Sequence, residues 1–165
     1  MRTPHSWHFV FMSLARTLAL RSKDDSTQVG AVLVDRENRI IGTGFNGPPS
    51  GIDDELVPWN ERPAKYDYIM HADENALWDA SMKGQRTEGS IMYLTGLPCA
   101  PCLLRIIKAK CSVVIFDAKA KQPSICDASM IERVKRLIGA MKYPKLTLYC
   151  VEFAEDTTPK LTLLV

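Results

Sequence analysis

The sequence lacks any uninterrupted apolar run of about 18 residues, the minimum for a membrane-spanning helix. It also shows no N-terminal apolar core followed by a small-residue cleavage site, the pattern of a secretory signal. These absences predict a soluble, cytoplasmic protein without a membrane partner. A large excess of charge of either sign is lacking too, because 21 Lys and Arg residues nearly balance 19 Asp and Glu residues, for a net charge of +2. This balance argues against a polymeric nucleic acid as partner and leaves a small anionic ligand possible.

Internal repeats and low-complexity tracts are absent as well. The 165 residues, 46% of them hydrophobic, suffice for one domain with a sizeable core but not for two ordinary ones, so we expect a single domain over residues 1–165. Runs of β-branched residues alternate with helical spacings of apolar residues, which indicates an α/β fold with helices on both faces of a sheet. The predicted helices are 7–19, 71–83, 103–109 and about 127–141, and the predicted strands are 29–35, 40–45, 91–95, 113–116 and 146–153. Residues 46–63 contain too many prolines and glycines for a regular element and are interpreted as a ligand or regulatory loop.

Five cysteines are an odd number and form no obvious disulfide framework. Cys99 and Cys102 form a C-x-x-C pair, which in an unsecreted chain favours metal binding or redox chemistry. Cys111, Cys126 and Cys150 lie in or beside apolar segments, so we assign them to packing.

His71 and the cysteine pair begin two successive predicted helices, so the three side chains can meet if those helices lie side by side. Zinc accepts one imidazole and two thiolates, and a catalytic zinc keeps its fourth position for water. A structural zinc normally has four protein ligands, and no second nearby His or C-x-x-C offers an obvious fourth. We therefore predict a catalytic zinc held by His71, Cys99 and Cys102, with a structural or redox role as the alternative.

Zinc-dependent nucleobase deaminases have an H-x-E motif followed later by P-C-x-x-C, and the glutamate moves protons without binding the metal. The chain matches the second motif at residues 98–102, but Asp73 stands two positions after His71 where glutamate is usual. Asp73 is the predicted proton shuttle, and Glu74, about 100° further around the helix, is the fallback. Either carboxylate could instead be an acidic helix-start residue that complements the helix dipole.

Five segments in the same order extend the likeness. They are residues 21–24 with 28–31, residues 44–48, residues 53–54 with 58–59, residues 71–77, and residues 98–102. In these segments the chain resembles the deoxycytidylate (dCMP) deaminases of the cytidine deaminase superfamily. The resemblance implies a three-layer α/β/α fold with a mixed five-stranded sheet, and assembly into a homo-oligomer, either a dimer or a hexamer. It also implies zinc-dependent hydrolysis of dCMP to dUMP and ammonia, feeding thymidylate synthesis.

The same resemblance suggests which residues bind the substrate. Asn46 would hold the deoxyribose, and Arg21 with Ser22 or Lys23 would lie near the 5′-phosphate, for which a guanidinium is the better fork. The alternatives are structural roles without a ligand: the cations could lie at a solvated helix end, and Asn46 could be a turn asparagine.

Many members of the family are activated by dCTP and inhibited by dTTP at a second site, and a triphosphate effector would bring Mg²⁺ with it. The residues of this chain that would form such a site are Gly44, Asn46, Gly47, Asp53 and Asp54.

Two departures from the family keep alternatives open. One is Asp73, and the other is the lack of a tyrosine in residues 117–121, where relatives often place an aromatic near the nucleotide. A 5-modified dCMP, a free nucleoside, a nucleobase or a tRNA adenosine are alternative substrates, of which the near-neutral charge disfavours RNA. A rival of another class is a deaminase-fold protein that binds zinc and nucleotide without turnover.

Overall fold

The computed structural model describes residues 4–117, 128–142, 146–153 and 159–164. In these ranges the helices are α1 (Trp7–Ala19), α2 (Ala72–Met82), α3 (Ala100–Lys108) and α4 (Ala128–Gly139), and the strands are β1 (Gly30–Val34), β2 (Ile40–Phe45), β3 (Ile91–Leu94), β4 (Val113–Asp117), β5 (Thr147–Phe153) and β6 (Pro159–Leu163). The predicted helices and strands are thus present, with ends that agree to within a few residues. The predicted cap of α4 at Asp127, the packing role of Cys126, and residues 118–121 lie outside the described ranges.

The strands form one mixed sheet in the order β2-β1-β3-β4-β5-β6. Strands β3, β4 and β5 are mutually parallel, whereas β1 runs antiparallel to β2 and β3, and β6 runs antiparallel to β5. The expected mixed sheet is confirmed, but the described part of the chain contributes six strands to it rather than five. The unpredicted strand β6 begins at a proline, is five residues long and lies at the sheet edge with most residues exposed, so little besides the two alternating leucines, Leu161 and Leu163, marks it as a strand.

Helices cover both faces of the sheet, which confirms the three-layer α/β/α arrangement. Successive residues of β1 point to opposite faces, and all five are buried. On one face Val32 packs in a cluster with Phe11 and Met12 of α1. On the other face Leu33 shares a larger core with residues of α2, α3 and α4.

Two glycines of β2 allow α2 to lie unusually close to the sheet. A Cβ atom at Gly44 would lie 2.2 Å from the carbonyl oxygen of Ala72 and 2.5 Å from the amide nitrogen of Ala76. Gly44 therefore acts through packing, because any side chain would push away the first turn of α2, where His71 is positioned.

Two of the cysteines assigned to packing are described. Cys111 is buried, and Cys150 packs partly buried against the larger core. None of the helices in the described ranges has the length and apolar character needed to cross a bilayer.

Candidate metal centre and adjoining cavities

Three potential metal ligands converge where two helices begin. His71 is the N-cap residue of α2, and Cys99 is the N-cap residue of α3, with Cys102 in the first turn of α3. The Nδ1 atom of His71 lies 3.2 Å from Sγ of Cys102 and 3.6 Å from Sγ of Cys99. All three ligand atoms fall within 4.8 Å of one another, as required to bind one ion. The structure thus brings together the three residues that the sequence pattern selected.

The two cysteine thiols of this cluster differ in their pKa values. A hydrogen bond from the Cys102 thiol lowers the pKa of Cys99 to about 4, and His71 contributes in the same direction. The same pairing with Cys99, together with burial, raises the pKa of Cys102. The positive ends of α2 and α3 also favour anionic sulfur at their first turns. One imidazole and two cysteine sulfurs form a donor set typical of zinc, so the residues fit this ion.

The two candidate carboxylates lie in different surroundings. Asp73 is only 4% exposed, and its Oδ2 atom is buried without a hydrogen-bond partner. Burial raises the pKa of Asp73, although a hydrogen bond with Cys102 opposes this effect. Glu74 instead forms an ion pair with Arg105, whose Nε atom lies 3.1 Å from the carboxylate. Only Asp73 of the two lines the same cavity as the metal ligands.

That cavity, here called the metal cavity, has a volume of about 320 Å³. Its walls include the three metal ligands, Asp73 and Asn46, several apolar side chains, and three residues that sequence reasoning did not select: Asp24, Arg62 and Tyr66. A volume of this size lies within the range of small-ligand sites. These three residues belong to loops and a short 3-10 helix, Ala64–Asp67. These segments have neither an apolar periodicity nor a motif that could have indicated a functional site.

A second cavity of about 500 Å³, here called the loop cavity, lies beside the first. It is lined by Arg21 and Lys23 together with residues of the 46–63 loop, among them Gly47, Asp53 and Asp54. Lys23 forms an ion pair with Asp54 at 2.8 Å. The structure therefore groups the two cations predicted for the substrate phosphate with the residues predicted for an effector, and neither cation lines the metal cavity.

Asn46 and Ser22 both serve the backbone. Asn46 lines both cavities, but its side-chain oxygen accepts a hydrogen bond from the amide of Val29 and its side-chain nitrogen donates one to the carbonyl of Thr27, each at 2.7 Å. Ser22 is buried, and its hydroxyl accepts a bond from the Asp24 amide. Their predicted contacts with the nucleotide remain predictions.

A buried ionic network supports the wall of the metal cavity. The Nζ atom of Lys65 lies 2.8 Å from Oδ2 of Asp24 and 2.9 Å from the hydroxyl of Ser26. Burial disfavours the charged form of Asp24, but hydrogen bonds from Lys65 and Ser26 outweigh it and lower its pKa. The network ties the 3-10 helix to the segment between α1 and β1.

Replacing Lys65 with methionine is expected to lower the free energy of unfolding by about 3–5 kcal/mol, because it leaves the Asp24 carboxylate buried and unpaired. The matched control is Lys23→Met, expected to cost less than about 1 kcal/mol. Both ion pairs have the same 2.8 Å separation, but the side chains of Lys65 and Asp24 are 2% and 4% exposed, against 56% and 39% for Lys23 and Asp54. Urea unfolding at pH 7 compares the variants, and equal losses would contradict the assignment. Because the pKa of Asp24 is lower in the folded state, its contribution is complete at neutral pH and is lost as the pH falls below about 4.

Comparison with known proteins agrees with the metal centre. Residues 5–118 match the family model described as the cytidine and deoxycytidylate deaminase zinc-binding region. The chain belongs to this family of zinc-dependent deaminases.

Particular relatives narrow the likeness. Deoxycytidylate deaminase of Mus musculus is 42% identical over 115 residues, which cover 67% of this chain and 64% of the mouse protein. The chain thus spans less than two thirds of that relative's length. The apo crystal structure of dCMP deaminase from the cyanophage S-TIM5 is similar with a TM-score of 0.57 at 26% identity, covering 67% of this chain and 81% of the phage chain. A structure of the same phage enzyme with dCMP and dUMP has a TM-score of 0.64 at 22% identity, covering 86% and 93% of the two chains, and supports the fold.

Proposed function

We propose that the protein hydrolyses dCMP to dUMP and ammonia with zinc bound by His71, Cys99 and Cys102. The observation that supports this most is the convergence of those three side chains and the buried Asp73 carboxylate on one cavity of nucleotide-binding size. The names of the mouse and cyanophage relatives favour dCMP among cytosine compounds.

When bound, zinc lowers the pKa of a water molecule towards about 7 and so supplies a nucleophile at neutral pH. Asp73 then moves protons. Its carboxylate accepts a proton from the water whose oxygen adds to C4 of the cytosine ring, and delivers that proton to N3. A second proton passes from the added oxygen through Asp73 to the amino group, which leaves as ammonia when the C4–N bond breaks.

The surroundings of Asp73 suit this role. Its raised pKa brings the carboxyl closer to the pH at which it can both accept and donate a proton. The apolar walls of the metal cavity, which include Leu94 and Leu97, limit the water that surrounds the reacting groups.

Further parts of the proposal concern regulation and assembly. The loop cavity, with Arg21 and Lys23 on its wall, is the proposed site for dCTP as activator and dTTP as inhibitor, with Mg²⁺ accompanying the triphosphate. The reaction would supply dUMP for thymidylate synthesis in the cytoplasm, and the protein would work as a homo-oligomer.

The experiment uses zinc-loaded protein with dCMP, 5-methyl-dCMP or deoxycytidine, each with and without dCTP and Mg²⁺. Loss of cytosine absorbance and release of ammonia are followed together, and we expect dCMP to react fastest and dCTP to stimulate turnover. Faster reaction of 5-methyl-dCMP would identify a modified nucleotide as the substrate. The shorter Asp73 carboxylate motivates the second candidate, a zinc- and nucleotide-binding protein without turnover, which zinc and dCTP binding without ammonia release would favour.

A further inference from the structure

The metal cavity contains a single fixed positive charge among its described lining residues, and that charge belongs to Arg62. The side chain is exposed, and no carboxylate of the described residues lies within ion-pair distance of its guanidinium. Arg21 and Lys23 line the loop cavity instead, where Lys23 is already paired with Asp54. An anionic group on a ligand in the metal cavity would therefore meet Arg62 first.

Arg62 is held in place by the buried network below it. Its Nη2 atom donates to the hydroxyl of Ser26 at 2.9 Å, and the same hydroxyl accepts from Lys65 and donates to Asp24. The guanidinium carbon also lies 6.0 Å from the centre of the Tyr66 ring. Because Asp24 neutralises Lys65, the lysine contributes position rather than net charge, and Arg62 keeps most of its five N–H donors for a ligand.

A guanidinium with unused donors recognises a phosphate monoester well, since it can form two parallel charge-assisted hydrogen bonds. Its exposed position lets the phosphate stay partly hydrated, which avoids the cost of burying a dianion. The base, in contrast, must be buried, because it has to reach the metal ligands and the buried Asp73 in the same cavity.

We propose that Arg62 binds the 5′-phosphate of the substrate and so makes the protein select a nucleoside monophosphate over the free nucleoside. This inference rests on the proposed function and refines it. It moves the phosphate contact from Arg21 in the loop cavity, where the family resemblance placed it, to Arg62 at the end of the 46–63 loop in the metal cavity. Lys65 and Asp24 are then positioning residues that act through Ser26.

Two measurements on Arg62→Gln test the proposal. In kinetics, kcat/KM for dCMP should fall about 10- to 100-fold while that for deoxycytidine stays within about twofold, as expected for the loss of one or two charge-assisted hydrogen bonds. In calorimetry, the affinity for dUMP should fall by a similar factor with no change for deoxyuridine. Arg62→Lys should recover part of the loss. Arg86→Gln is the matched control, because Arg86 is an exposed arginine that lines neither cavity and pairs with Glu88.

If Arg62→Gln leaves the ratio of kcat/KM for dCMP to kcat/KM for deoxycytidine unchanged, the proposal is overturned. If this ratio falls in Arg21→Gln and keeps its wild-type value in Arg62→Gln, the phosphate contact belongs to the loop cavity. The calorimetric arm needs no turnover, so wild-type protein that binds dUMP through Arg62 but releases no ammonia would refute the proposed reaction and leave the phosphate assignment standing. Failure of wild-type protein to bind dUMP more tightly than deoxyuridine would refute the assignment itself.

Discussion

Replacing Cys99 with serine is expected to lower zinc affinity by at least about 100-fold and to abolish deamination with it. Loss of a residue that merely orients a ligand costs about 10- to 100-fold in metal affinity, so loss of a ligand should cost no less. The sulfur of Cys99 is the anionic partner in the cluster, since the Cys102 thiol and His71 lower its pKa to about 4. A serine hydroxyl stays protonated at neutral pH and cannot replace that thiolate.

Zinc content after dialysis against a chelator, measured beside ammonia release from dCMP, gives the readout. Cys150→Ser is the control, because Cys150 lies on β5 and lines neither described cavity. It should retain zinc and activity, which separates loss of a ligand from loss of any cysteine. Stoichiometric zinc in Cys99→Ser would show that the ion binds elsewhere or that Cys99 is dispensable.

The metal ligands could be predicted from the sequence because their signals are local. His71 and Cys99 each stand at a helix start that periodicity and a following apolar run define, and the structure makes both of them N-cap residues. The first helix was equally accessible, since Ser6 caps it by accepting a bond from the Phe9 amide. Local pattern thus fixed the ligands without any knowledge of the sheet order.

The cavities could not be predicted, because they depend on contacts between distant segments. Lys65 meets Asp24, and Arg62 meets Ser26, across loops that have no periodicity to reveal a shared site. The family resemblance implied one substrate site, with Asn46 at the deoxyribose and Arg21 near the 5′-phosphate, whereas Asn46 lines both cavities and Arg21 lines only the loop cavity. Strand β6 was not predicted for a related reason, since the order of an exposed edge strand comes from its pairing with a neighbouring strand, here β5.

Asp73→Asn is expected to reduce kcat for dCMP by about 10²- to 10⁴-fold while zinc stays bound. The amide preserves the size of the side chain but cannot accept and return a proton. The buried Oδ2 atom has no hydrogen-bond partner in the described structure, although the carboxylate hydrogen-bonds Cys102, so one of its oxygens remains available for proton transfer. Steady-state kinetics and metal analysis on the same preparation separate loss of proton transfer from loss of zinc.

Two further variants decide which carboxylate acts. Asp73→Glu should keep or raise activity if the longer side chain restores the reach of the glutamate usual in this family, and total loss would show that the pocket is built around aspartate. Glu74→Gln removes the partner of Arg105 outside the metal cavity, so its effect on kcat should be far smaller than that of Asp73→Asn. A reversed order, with Glu74→Gln inactive and Asp73→Asn active, would transfer the proton shuttle to Glu74 and require α2 to turn by about 100° relative to the metal ligands.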